Sequence, residues 1–500
     1  GDLGLAVTFP PQEGPFVEGE VYEDTTRRLH DAALERRVGT ASYTVTAATT
    51  ASVEADGGFR LSTAAESMEA SFAFSPAGSA EPPGFDDVLD ASRSWWEQYW
   101  SGGAAVSFEG SADPRAPELE RRVVLSQFLT AVHCRGSTPP QETGLLYNTW
   151  DGKFHLEMHW WHAAHFVLWG RGHLLERSLA WYRSVLPVAR AAAHRQGYRG
   201  VRWPKQIGPG GREAPSIIGP FLVWQQPHPI FYAELLRRAS PEPDAVMERY
   251  RDLVFASAEF MADFADLREG RFHLGPPVIP AQESYAAARA EVCDPTFELA
   301  YWNWGLRVAL EWRVHLGLGT DEGWRRVADA LAPLPEIDGR YAAAGPEPRT
   351  VRDDHPSMLM ALGFVPATPL VDAGAMAATL EDVWEQWDFA STWGWDYPVL
   401  AMTATKLAQP QRAVDALLMD TPKNQWLPNG HVPQIAGGLS AYLPANGGLL
   451  AAVAMMAAGW ERGEGATPGF PDGHGWRVRH EGLVPFPPDL APTVAPHERS

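Results

Sequence analysis

Two carboxylates stand out by their surroundings. Glu283 lies in GPPVIPAQESYAAARAEVCDPTFE (Gly275–Glu298), between two helical patterns. There Pro276, Pro277 and Pro280 fix the backbone and remove amide donors, so the segment reads as a shaped, apolar loop. A carboxyl in apolar surroundings keeps its proton to higher pH, because burial disfavours the charged form. Near neutrality such an acid can protonate a departing oxygen. Asp396 lies in STWGWDYPVLAMTATKLA (Ser391–Ala408), between Trp395 and Tyr397, with Pro398 opening a helix. A carboxylate there can act as a base. Both positions also have a structural reading: a capping or salt-bridged Glu283, and Asp396 as the N-cap ahead of a proline.

The polar and aromatic segments around them suit sugar recognition. YNTWDGKFHLEMHWWHAAH (Tyr147–His165) gathers Trp150, Asp151, Lys153, His155 and Glu157. His155 and His159 are four apart, as on a zinc-binding helix, but Leu156 stands where the zincin pattern needs Glu. Indoles can stack on sugar faces while carboxylates, Lys and His bond to hydroxyls. A purely structural aromatic core is the other reading. GYRGVRWPKQIGPGGREAPS (Gly197–Ser216) carries Trp203 and Lys205 without a phosphate-loop pattern, and Gln226 and His228 stand just ahead of the next helix. Loops this long are usually functional. Trp393 joins from the loop of Asp396, and Lys423, His431, Gln434 and Tyr442 lie in a stretch suited to a pocket mouth. No metal and no cofactor is expected.

The elements that must position these residues follow from periodicity. Residues 1–84 alternate and carry turn residues, including Asp56-Gly57-Gly58 as a hairpin turn, and read as an all-β module, whole or incomplete. Residues 85–112 read as a helical linker, and 113–465 as about a dozen helices separated by loops rich in Gly, Pro and Trp. PSMLMALGF (Pro356–Phe364) and the long run HWWHAAHFVLWGRGHLLERSLAWYRSVLPVARAAAHRQG (His159–Gly197) are among the helical patterns expected. No short repeat shows, which favours a closed helical toroid over a solenoid. Residues 466–500 are a proline-rich tail in which GWRVRHEGLVPF suggests a short closing strand pair.

Bulk properties narrow the partners. A net charge of -21 repels phosphate backbones, which argues against nucleic acid. The longest apolar run, Gly447 to Gly459, is too short to cross a bilayer. Cys134 and Cys293 could form one bridge or remain two thiols. The chain begins without Met and without a signal segment, as a processed or trimmed product would, and its compartment and oligomeric state stay open.

The order of these motifs over Glu142–Trp460 resembles the six-hairpin glycosidase clan, glycoside hydrolase family 65 in particular. GYRGVRWP is similar to that family's GY-x-GA-x-(F/W)-P loop, and Ala281–Tyr285 followed by Thr296 and YWNWGLRVALE looks like its acid loop and helix. DHPSMLMALGFVPAT looks like its His-Pro segment, whereas WGWDYPVLAMTATKLA is similar to the base-bearing loop of the family 95 fucosidases. Two departures are visible: KFHLEMHWW replaces the usual Phe-Trp-Asp-Thr-Glu run, and no Gly-Pro-Asp precedes Glu283. The resemblance implies a mainly α fold, an (α/α)6 barrel with an N-terminal β-sandwich joined by a helical linker. It implies an inverting hydrolase acting at the end of an α-linked glycoside. Glu283 would be its general acid and Asp396 its general base, with carboxyls about 6.5–9.5 Å apart. The alternatives are a disaccharide phosphorylase on the same fold and a catalytically silent sugar-binding protein.

Overall fold

The computed structural model describes residues 3–9, 24–38, 41–76, 78, 80–346, 351–436, 438–460, 467–473 and 475–490. The chain divides into two compact units, Gly1–Gly102 and Gly103–Ser500. That boundary falls inside the stretch 85–112 expected as a linker.

The first unit holds strands β1 (Leu3–Thr8), β2 (Asp24–His30), β3 (Ala33–Val38), β4 (Ala41–Thr49), β5 (Ser52–Ala55), β6 (Gly58–Thr63) and β7 (Ala70–Ser75), then helix α1 (Phe85–Ser101). They make two antiparallel sheets, in the orders β1-β6-β5 and β2-β3-β4-β7. Alternation turns Leu34 and Val45 of one sheet and Ala55 and Phe59 of the other into one apolar cluster, so the sheets close as a sandwich. The hairpin turn expected at Asp56-Gly57 joins β5 to β6, with Gly57 at φ 68, where only glycine is unstrained.

The second unit is the barrel. Its outer helices are α2 (Ala116–His133), α4 (Gly172–Ser184), α7 (Pro243–Phe264), α9 (Glu322–Asp329), α10 (Ala373–Gln386) and α12 (Pro410–Leu417), with α5 (Leu186–Arg195) following α4. The inner elements are α3 (His159–Leu168), α6 (His228–Ala239), α8 (Thr296–His315), a 3₁₀ turn (Ser357–Ala361), α11 (Asp396–Lys406) and α13 (Leu443–Ala458). Each inner element packs on the next, α3 on α6, α6 on α8, α8 on the 3₁₀ turn, that turn on α11, α11 on α13, and α13 back on α3. The ring is closed. Helices apolar around their whole circumference must be enclosed, and α3 and α13 are buried on nearly every side.

Gly447 lets α13 meet α3, because a Cβ there would lie 1.7 Å from the Trp161 carbonyl oxygen. Gly447→Ala is therefore expected to destabilise the protein by about 3 kcal/mol or more. A denaturation midpoint left unchanged would contradict this packing.

Three local expectations are corrected. PSMLMALGF takes an inner-ring position but forms only the 3₁₀ turn, since Pro356 precedes it and Gly363 (φ 116) and Pro366 end it. The long helical pattern from His159 to Gly197 is three helices, broken at Gly170 (φ 71) and at Pro187. In the tail, Arg479–Glu481 pairs with Ala105–Ser107 rather than with its own neighbours. Cys134 and Cys293 are both free.

Candidate active site

Six loops lead into the N-terminal ends of the six inner elements, and contacts join each loop to the next. The loop before α3 meets the loop before α6 where the Gln206 amide touches the His155 ring at 3.3 Å. Lys205 of that second loop bonds to Glu283 of the third. The Ser284 N–H then donates to Asp354 Oδ2 (3.3 Å), and the Asp354 N–H donates to Ser391 Oγ (2.8 Å). Gly394 N–H donates to Gln434 Oε1 (2.9 Å), and Tyr147 meets Ser440 at 2.9 Å to close the circle. This second ring, of loops, gathers the candidate residues at one end of the barrel.

One side of it is a cluster of ion pairs. Glu283 opens a 3₁₀ turn, and its side chain is 32% exposed. Its partner Lys205 also lies 3.6 Å from the buried Glu157. His155 Nδ1 sits 3.3 Å from Glu157 and 3.4 Å from Glu142, which in turn accepts the Trp150 indole N–H. Burial alone would lower the pKa of His155, yet Glu142 and Glu157 raise it to about 9. Burial likewise opposes the charge on Lys205, and Glu283 and Glu157 more than restore it. Three carboxylates, Glu142, Glu157 and Glu283, thus face two cations, His155 and Lys205. Neither Glu157 oxygen makes a hydrogen bond, although both are buried. Buried acceptors of this kind are suited to ligand hydroxyls.

Glu283 is thus in an ionic setting, not the apolar one its loop suggested. The apolar setting belongs to Glu298, fully buried at the start of α8, where burial pushes the carboxyl up to about 8. Its Oε1 accepts the Ala281 N–H (2.8 Å) and so braces the loop two residues before Glu283.

The opposite side is built on Asp396, the first residue of α11. Its oxygens accept from His355 Nδ1 (3.0 and 3.1 Å), and Oδ2 also accepts the Trp393 N–H (2.8 Å). The other imidazole nitrogen lies 3.5 Å from Asp354 Oδ1, and the Trp395 indole stacks on the ring at 4.1 Å. Burial would depress His355, but Asp354, Asp396 and Glu283 hold it up to about 9. Burial also raises Asp396, against the pull of His355. Trp393 faces Tyr442 at 5.5 Å and the Lys423 ammonium at 5.0 Å, a cation–π contact.

Not every residue expected to line the site reaches it. Trp203, Gln226 and His228 are buried behind the wall. The Trp203 indole donates to Ser257, Gln226 bonds to the Trp203 backbone, and His228 joins Tyr301 to the Glu157 carbonyl. Burial drops His228 to about 3, so it stays neutral. Amphipathic rings bury readily once their polar atom has a partner. Trp150, His155, Glu157 and Lys205 share the ion-pair cluster, Trp393 stands on the side of Asp396, Lys153 is half-buried, and the Asp151 side chain lies outside the described residues. The sequence reading gave no role to Glu142, Asp354 or His355. The run Asp353-Asp354-His355-Pro356, two acids and an imidazole ahead of a proline, was the available signal.

No protein-family model and no curated protein matches the chain. Solved structures do. A protein described as a kojibiose phosphorylase from the human microbiome superposes with a TM-score of 0.66 at 9% identity, over 92% of this chain and 69% of that one. The barrel has the six-hairpin glycosidase fold. A bacterial glucoamylase complexed with acarbose gives 0.51 at 12% identity, over 85% of this chain and 72% of its own. A wild-type glycosidase gives 0.50 at 15%, over 68% and 97%. The (α/α)6 toroid expected from the motifs, and their likeness to family 65, agree with these neighbours.

Proposed function

We propose that the protein is an inverting glycoside hydrolase acting on terminal α-linked glycosides. Glu283 donates a proton to the glycosidic oxygen, and the side built on Asp396 and His355 activates water against the opposite face of the sugar. The observation that carries this reading is the meeting of two loops far apart in sequence. Ser284, next to Glu283, touches Asp354, and His355 joins Asp354 to Asp396. Trp150 and Trp393 offer indole faces to a sugar ring, while Glu157 and Lys205 offer an acceptor and a donor to its hydroxyls. Neighbours of this fold have been solved with glucose and with acarbose.

The neighbour described as a phosphorylase raises the second reading, in which phosphate replaces water. The charges disfavour it. Of the cations on that side, His355 is already met by two carboxylates and Lys423 donates to the Gln434 carbonyl, while Asp354 and Asp396 would repel a phosphate dianion. Cleavage of aryl α-glycosides is expected at the same rate in phosphate-free buffer and with added inorganic phosphate. Phosphate-dependent release of a glycosyl phosphate would defeat the hydrolase assignment.

A further inference from the structure

We infer that the group receiving the proton of the attacking water is the carboxylate of Asp354, with Asp396 acting on it through His355. This deepens the hydrolase reading and rests on it. A base must touch the water it activates. Asp396 is poorly placed for that, because its side chain is 1% exposed and both oxygens are already occupied by His355 and the Trp393 amide. Asp354 is the accessible member of the array, at 18% exposure. Its oxygens are lightly held, Oδ2 by a long 3.3 Å bond from the Ser284 amide and Oδ1 3.5 Å from His355 Nε2, so each keeps a lone pair for water.

Its position is fixed independently of the carboxylate. Asp354 has φ 60, a left-handed conformation in which non-glycine residues are uncommon. Its N–H donates to Ser391 Oγ (2.8 Å) and its carbonyl accepts the Trp387 indole N–H (2.9 Å), which locks that backbone. The side chain is thereby aimed beside the loop of Glu283. His355, clamped by Asp396 on one nitrogen, presents the other to Asp354.

The step balances as hydrolysis. Water oxygen bonds to the anomeric carbon, the glycosidic C–O bond breaks, and its electron pair leaves on the departing oxygen, which takes the Glu283 proton. The proton lost by water goes to Asp354, and solvent exchange restores both carboxyls.

The test compares full-length Asp354→Ala, Asp354→Asn and Asp396→Ala on an aryl α-glycoside, with folding checked by circular dichroism. Both Asp354 variants are expected to lose about 10²–10⁴-fold in kcat with little change in KM. Azide added to Asp354→Ala should restore turnover and give the β-glycosyl azide. Asp396→Ala, sealed from solvent, should show no azide product. Asp354→Asn within threefold of wild type, or azide rescue confined to Asp396→Ala, would overturn the assignment and leave the hydrolase reading standing. Absence of hydrolysis by the wild type would instead end that reading.

Discussion

Glu283→Gln is expected to lower kcat by about 10³-fold on a glycoside with a poor leaving group, with KM little changed. Gln keeps the shape and the contact with Lys205 but has no acid proton to give. Lys205 retains Glu157 as a counter-ion at 3.6 Å, so the fold should persist. The loss should shrink on aryl glycosides whose phenols leave without help, because their departure needs less protonation. Steady-state kinetics over a series of leaving groups reads this directly. A variant equally impaired across the series would assign Glu283 a binding role, and one with near-normal turnover would remove it from the chemistry.

The second large effect is at Asp396. Asp396→Asn breaks a buried pair and leaves the His355 cation with one fewer counter-charge, which is expected to destabilise the fold by about 3–5 kcal/mol near pH 6. The pH dependence has a definite sign. His355 keeps its proton in the folded protein up to about 9, against about 6.5 for an unperturbed imidazole. Its stabilising contribution is therefore complete below about pH 6.5 and is lost as pH rises through 9. His155 behaves in the same way, raised to about 9 by Glu142 and Glu157. Urea denaturation should show wild-type stability falling between pH 6.5 and 9. The gap between wild type and Asp396→Asn should narrow over the same interval. A gap of equal size at pH 6 and pH 10 would mean that the charge on His355 is not what Asp396 holds.

Much of the architecture was legible because burial is periodic. The alternation around Val45 and the Asp56-Gly57 turn mark strands, and the apolar stretch around Gly447–Gly459 marks a helix that has to be enclosed. The loops were legible too, since proline and glycine mark the breaks in which Lys205 stands and at whose ends Glu283 and Asp396 open the next helical turns. Side-chain direction was not legible. Trp203 and Trp393 are the same residue in similar loops, yet Trp203 turns inward to Ser257 while Trp393 stays at the site beside Tyr442. The surroundings of Glu283 were misread for a related reason. Its loop is apolar in sequence, but the charge that reaches it comes from Lys205, 78 residues away. Asp354 and His355 were seen only as part of a His-Pro segment, because the role proposed for them arises only when the fourth inner element shortens to a single 3₁₀ turn and brings Asp354 against Ser284.

In the proposed reaction, proton donation at Glu283 and water activation across the sugar from it would make a single displacement, and a single displacement inverts the anomeric centre. Following the wild-type cleavage of an α-linked glycoside by ¹H NMR, before mutarotation blurs the signal, measures that outcome. The β-anomer of the free sugar should appear first. First appearance of the α-anomer, or of a sugar phosphate, would contradict a site in which Glu283 and the carboxylates around His355 flank an attacking water.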